Sequence, residues 1–205
     1  MVLPAGLVRL GDPLPPEVAD DARLLAGCRT AGVRVPVGAV LLAGHDDLGP
    51  LVAGEHVLLR VVGTSPAVRV PTTPRQLAVA LRTLRLAAPV GVRHDVLVLR
   101  AEASVHAGRV LVGDGASAVR AVEGEAHELR AAARVRELTM PRLRTRWQRA
   151  HRGLDEWRTP LPPWAMRLSG LVRDAQRVLG TSPHELTFAD DGQRCRLLGV
   201  RVTTR

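Results

Sequence analysis

Three observations predict an α+β fold. Several short runs alternate apolar with polar residues, as half-buried strands do. Runs with apolar residues at helical spacing lie dispersed among them, and several strands follow one another directly, which argues against a regular parallel βαβ array. The chain also closes on HELTFADDGQRCRLLGVRVTT, residues 184–204, two alternating runs about an Asp-Asp-Gly turn. At 205 residues and 46% hydrophobic, it can bury a core as one domain over 1–205, with room for two lobes at about 1–90 and 91–205.

VLPAGLVRL opens the chain as a short strand. In EVADDARLLAGCRTAG, Val18, Ala22, Leu25 and Cys28 or Arg29 recur at helical spacing, and Gly32 supplies the stop. VRVPVGAVLLA reads as extended, bent or at an edge because of Pro36 and Gly38. EHVLLRVVG is a strand, and the turn-rich GTSPAVRVPTTP reads as a loop. Pro74 suits the first turn of a helix that sets Leu77, Leu81, Leu84 and Ala88 in one stripe. DVLVLRAEA, AGRVLVG and SAVRAVEG are strands, broken by Gly-Asp-Gly at 113–115. EGEAHELRAAARVREL reads as a helix that Pro141 ends or kinks, followed by a basic helical piece, RLRTRWQRAHRGLDEWR. In PWAMRLSGLVRDAQRVLG, Trp164, Leu168, Leu171, Ala175 and Val178 share a helix face, and Gly180 closes it.

Loop length decides what the final hairpin displays. A two-residue Asp191-Gly192 turn puts Thr187 and Arg201 on opposite faces. A three-residue Asp190-Asp191-Gly192 loop with Gly192 left-handed gathers Glu185, Thr187, Gly199 and Arg201 on one face. Leu186, Phe188, Leu198, Val200 and Val202 then lie on the other, against the preceding helix. The second pattern separates polar from apolar more cleanly and is the one expected.

The inventory limits the chemistry. There is no Lys, Asn, Ile or Tyr and a single Phe, Phe188, as a GC-rich coding sequence would produce. No lysine is available as Schiff-base former, phosphate clamp or general base. The formal charge of +9 is carried by arginine, and most of the excess falls between Arg130 and Arg158. Such a segment reads first as a solvated face and second as a phosphate-binding surface. Cys28 and Cys195 are too few for a disulfide framework or a metal site, and buried thiols are expected. No apolar run approaches a bilayer span, and the N-terminus lacks a basic segment followed by a sustained apolar stretch. A cytoplasmic protein without membrane contact is therefore expected.

Three segments, taken in order, resemble the N-terminal nucleotide-binding domain of the phosphoenolpyruvate synthase and pyruvate phosphate dikinase family, which has an ATP-grasp fold. ARLLAGCRTAGVRVPVGAVLLA resembles its opening helix and Gly-x-x-Val-Pro-x-Gly strand, and HVLLRVVGTSP takes the place of its Val-Arg-Ser-Ser strand and loop. VLGTSPHELTFADDGQRCRLLGVRVT resembles its closing helix and hairpin, and VLVLRAEASVHAGRVLV matches its middle strand pair more weakly. The resemblance implies an ATP-grasp-like α+β domain, ATP and Mg2+ as cofactors, and phosphate contacts by Arg60 and Arg201. It is shortened and degenerate. The family's phosphate-binding lysine falls on Asp21, its two serines on Val61 and Val62, its metal-binding glutamate on Thr187 and its last-strand glutamine on Gly199. Glu185, two residues before Thr187 on the same side of the strand, can partly replace the lost carboxylate as metal ligand. The resemblance thus implies a divergent ATP-binding, phosphotransferase-related domain with weak or lost catalysis.

Other signals are weaker. His106, in Ala-Ser-Val-His-Ala-Gly, resembles the same enzymes' phosphohistidine loop only faintly, and a strand-end histidine is expected. Completing that family's reaction would therefore need a partner carrying a phosphohistidine or substrate domain. His45 beside Asp46 and Asp47 reads as a surface turn, and Ser65, Ser104, Ser117 and Ser169 lack a nucleophile-elbow context. Two alternatives to nucleotide binding remain. One is nucleic-acid binding through Arg142, Arg144, Arg146, Arg149 and Arg152 with Trp147 and Trp157. The other is a non-catalytic partner or regulatory domain that docks on another protein.

Overall fold

Residues 4–48, 56–64, 67–91, 93–113, 116–124, 136–141, 161–180 and 182–203 are described by the computed structural model. The most apolar run of the first half, β5 (Val96–Arg100), is buried on both faces from Val96 to Leu99 and sits at the centre of the first sheet. Around it lie β1 (Leu7–Arg9), β2 (Gly38–Leu41), β3 (His56–Val61) and β4 (Val68–Pro71), in the order β1-β2-β5-β3-β4, with every pairing antiparallel. Helix α1 (Asp20–Thr30) lies in the cluster formed by one face, with Val40, Leu58, Leu97 and Leu99. Helix α2 (Pro74–Leu86) covers the other, setting Leu77 and Leu81 on Val57, Leu59, Val96 and Val98. The expected stripe of α2 holds, with Leu84 and Ala88 at its partly buried margin.

The loop expected over 63–74 is corrected by β4. Val68–Pro71 pairs with Leu59–His56, and Pro71 falls at the last position of an edge strand, where its missing N–H removes nothing from the ladder.

The second sheet has the order β10-β9-β6-β7-β8, also antiparallel, from β6 (His106–Val112), β7 (Ala116–Glu123), β8 (Arg136–Pro141), β9 (His184–Asp190) and β10 (Cys195–Val202). Helix α3 (Pro163–Leu179) buries Trp164, Leu168, Leu171 and Ala175 in the cluster that holds Val110, Leu186 and Phe188. Complete burial of one such leucine stabilises the fold by roughly 2 kcal/mol. Val178, expected on that face, is 40% exposed, and Val172 is buried instead. The helix expected over 123–138 is corrected at its end. Arg136–Leu138 belong to β8, where pairing with Ala121–Val119 of β7 overrides helical propensity. At its start Glu123 belongs to β7, and residues 125–135 and the basic piece at 142–158, with Trp147 and Trp157, lie outside the described residues.

The two sheets share one core. Leu10, Val40 and Leu58 from the first sheet's side join Val110, Val119 and Leu186 of the second, with Ala22, Leu25 and Cys28 of α1 in the same cluster. Helix α1 packs on β10 and on α3, and the Leu197 N–H donates to the Arg34 carbonyl at 2.8 Å, covering part of the β10 edge. The chain passes from one sheet to the other over residues 101–105.

The final hairpin reaches the expected face by a different route. Its loop is four residues, Asp191 to Arg194, and Asp190, paired with Cys195, ends β9. Gly192 is left-handed at φ +90°, and the Asp191 carboxylate accepts the Gln193 and Arg194 N–H groups at 2.8 and 2.6 Å. An unbroken ladder from this loop would set Thr187 opposite Leu198 and turn Gly199 and Arg201 into the core. A β-bulge at Leu198 restores the phase, so that Gly199 pairs with Thr187 and Arg201 with Glu185. The buried set is accordingly Leu186, Phe188, Leu197, Leu198 and Val200, while Val202 is 45% exposed.

Candidate functional site

Arg60 alternates with buried Leu59 and Val61 on β3, and so projects from the opposite face, toward the second sheet. Its guanidinium lies over Gly199 of β10, where an added Cβ would stand 2.6 Å from Nη1. The missing side chain at 199 is what admits the arginine. Arg60 Nη2 stands 3.7 Å from the Asp21 carboxylate in the first turn of α1, and the same carboxylate accepts the Gly63 N–H at 2.8 Å. From the far end of the chain, Arg201 Nη2 donates to the Gly63 carbonyl at 3.0 Å. Arg60 and Arg201 are thus brought together at the turn after β3.

Sheet register adds the rest. Thr187 stands opposite both Gly199 and Arg109, and Glu185 lies two residues along the same strand face. Arg109 Nη1 is 3.5 Å from Glu185 Oε1. Burial lowers the pKa of Arg60 most; Asp21 opposes this, Arg201 and Arg109 lower it further, and Glu185 opposes. Arg60 therefore lies within the field of four other charged groups, three of them on the second sheet. Among these five described residues, three guanidiniums against two carboxylates leave one positive charge in excess.

A small pocket adjoins this cluster. Leu58, two residues before Arg60 on β3, lines it together with Ala189 and Leu198, and Arg100, Glu102 and Arg196 make part of its wall charged, with Arg196 paired to Glu102 at 2.7 Å.

The donor set suits phosphate oxygens, which guanidinium forks bind through paired N–H groups. It does not suit a resident metal ion. Glu185 supplies one carboxylate, already facing Arg109, and Thr187 supplies a neutral hydroxyl. Among the described residues no group of three or more His, Cys, Asp or Glu could hold a metal. A Mg2+ ion there would have to arrive on the phosphates themselves.

The remaining sequence candidates have structural roles. His106 opens β6 and stacks on Trp164, with ring centroids 5.4 Å apart. His45 packs over Gly6, and Asp46 pairs with Arg85. Burial pushes the thiols of Cys28 and Cys195 up, to about 11 and about 12, so neither is a nucleophile near neutral pH. Ser104 donates to the Gly124 carbonyl, Ser117 is buried, and Ser65 lies outside the described residues. Arg109 is the site residue that sequence reasoning missed. Its signal was the alternation of AGRVLVG, which puts Arg109 on the face opposite buried Val110 and Val112.

No protein-family model matches the chain, and no curated protein matches its sequence. Solved structures do match in shape. D-alanine–D-alanine ligase from Coxiella burnetii superposes with a TM-score of 0.52 at 10% identity, over 87% of this chain and 46% of that one. The corresponding ligase from Bacillus anthracis gives 0.54 at 13% identity, over 87% and 54%. The L-amino acid ligase from Bacillus licheniformis gives 0.52 at 12% identity, over 93% and 43%. The fold is ATP-grasp-like. At these identities the likeness is one of fold, and the chain spans about half the length of each of these ligases. Two antiparallel sheets, with three helices among the described residues, make up this ATP-grasp-like unit, and its charged cluster lies where the sheets meet. No helix among the described residues is long and apolar enough to cross a membrane.

Proposed function

We propose that the cleft between the sheets binds ATP through its phosphates, and that the chain is a divergent nucleotide-binding domain with weak or lost phosphoryl transfer. The observation that carries this reading is the convergence of two arginines 141 residues apart in sequence, on an ATP-grasp-like fold: Arg201 reaches the Gly63 carbonyl, and Arg60 faces the Asp21 carboxylate that accepts the Gly63 N–H. Arg60, Arg201 and Arg109 would contact phosphate oxygens. Glu185 and Thr187 are the groups nearest to any Mg2+ that the phosphates bring.

The weakness of catalysis follows from what stands around the arginines. Phosphoryl transfer relies on cations and metal ions that neutralise charge on the transferring group. Here Asp21 lies against Arg60, and a single carboxylate is offered to metal. Kinship with the phosphoenolpyruvate synthase domain rests on the order of the three sequence segments. Under it, an acceptor or phosphohistidine domain on another chain would complete any reaction.

Thermal unfolding with ATP tests the proposal. A ligand at one hundred times its Kd adds about 2.7 kcal/mol of stability, which raises the melting temperature by several degrees in a chain of this size. The rise is expected with ATP and Mg2+, smaller with ATP alone, and absent in Arg60→Ala and Arg201→Ala. No rise in the unmodified protein at millimolar ATP would overturn the reading.

A further inference from the structure

In this structure, an anion already sits on Arg60. The Asp21 carboxylate accepts the backbone N–H of Gly63 at 2.8 Å and lies 3.7 Å from Arg60 Nη2. That pairing of a backbone amide in a glycine turn with a guanidinium is what a phosphate oxygen would seek there. Asp21 is 9% exposed, and the Arg60 side chain is 12% exposed. Nη2 is buried without a hydrogen bond of its own, since 3.7 Å is an ion pair and too long for one. The guanidinium is therefore neutralised in charge but left with an N–H group to donate. The neighbouring cations do not cancel Asp21 locally: Arg201 binds the Gly63 carbonyl, and Arg109 faces Glu185.

We propose that Asp21 is a specificity-determining residue, an internal stand-in for a ligand oxyanion that any phosphate must displace or share Arg60 with. Its carboxylate discriminates against multiply charged phosphates by leaving the cluster one positive charge in excess, where its removal would leave two. The inference rests on the reading of this cleft as a phosphate site. It adds that the acid in the first turn of α1 sets the affinity of that site. Asp21 is also a positioning residue for Arg60, because the two share the contact that holds the guanidinium over Gly199.

The test is isothermal titration of inorganic pyrophosphate, and separately of ATP with Mg2+, into the unmodified chain, Asp21→Asn and Asp21→Asn/Arg60→Ala. Asparagine keeps an oxygen for the Gly63 N–H and removes the charge. Pyrophosphate is expected to bind Asp21→Asn at least tenfold more tightly, with the gain abolished in the double variant. Should Asp21→Asn not fold, Asp21→Ser, which also retains an acceptor, carries the same expectation. A pyrophosphate affinity within twofold of the unmodified protein, or a gain that survives loss of Arg60, overturns the proposal. A tenfold pyrophosphate gain in a protein that never binds ATP upholds the role of Asp21 and sinks the nucleotide reading. Arg60-dependent ATP binding with no change on removing Asp21 does the reverse.

Discussion

Asp190 is fully buried at the end of β9, and Arg167 of α3 reaches it with Nε and Nη2, both at 2.7 Å. The pair fastens helix to hairpin across 23 residues of sequence. Arg167→Ala would leave a carboxylate under the helix with the Gly192 N–H as its remaining partner. A loss of about 3–5 kcal/mol is expected in urea unfolding, far beyond the cost of removing an exposed arginine. Nothing in the sequence distinguished Arg167 from its neighbours, because its partner is chosen by the packing of α3. Arg60 and Arg201 were more legible: Arg60 through the resemblance of HVLLRVVGTSP to a phosphate-facing strand, and Arg201 through the phase of the final hairpin. Asp21 was legible only as a missing lysine; its contact with Arg60 depends on where α1 begins relative to β3.

Strand phase is the device that makes the ligand face, and it shows both the reach and the limit of sequence reasoning. The polar set Glu185, Thr187, Gly199 and Arg201 was readable from two-residue alternation. The bulge was not, because a four-residue loop with a bulge and a three-residue loop without one give the same polar face. Likewise β4 and β8 were read as loop and helix although each pairs with the strand just before it, because local propensity yields to pairing at a sheet edge. Gly199 offers the test at this scale. In Gly199→Ala the three atoms nearest the new Cβ all belong to the far end of the Arg60 side chain, which can swing away. The melting temperature should fall by no more than a few degrees, while the stabilisation by Mg2+ and ATP is lost, as differential scanning calorimetry would record.

At the scale of the molecule, one cluster of buried side chains draws on both sheets, with α1 lodged among them. The sequence left room for two lobes within one domain, at about 1–90 and 91–205. The change of sheet comes at 101–105, because β5 returns to the middle of the first sheet. That return could not be read from β5 itself, whose continuous apolar run shows burial on both faces without naming its neighbours. The shared interior has a practical consequence: this protein should behave as a split pair. Residues 1–103 and 104–205, produced separately, each present an uncovered apolar wall, Leu58 and Leu99 on one piece and Leu197 and Val200 on the other. Each alone should bind a hydrophobic dye and aggregate. Mixed during refolding, the two should sediment as one species with the circular dichroism of the intact chain, and halves that stay soluble and indifferent to each other would contradict the common interior.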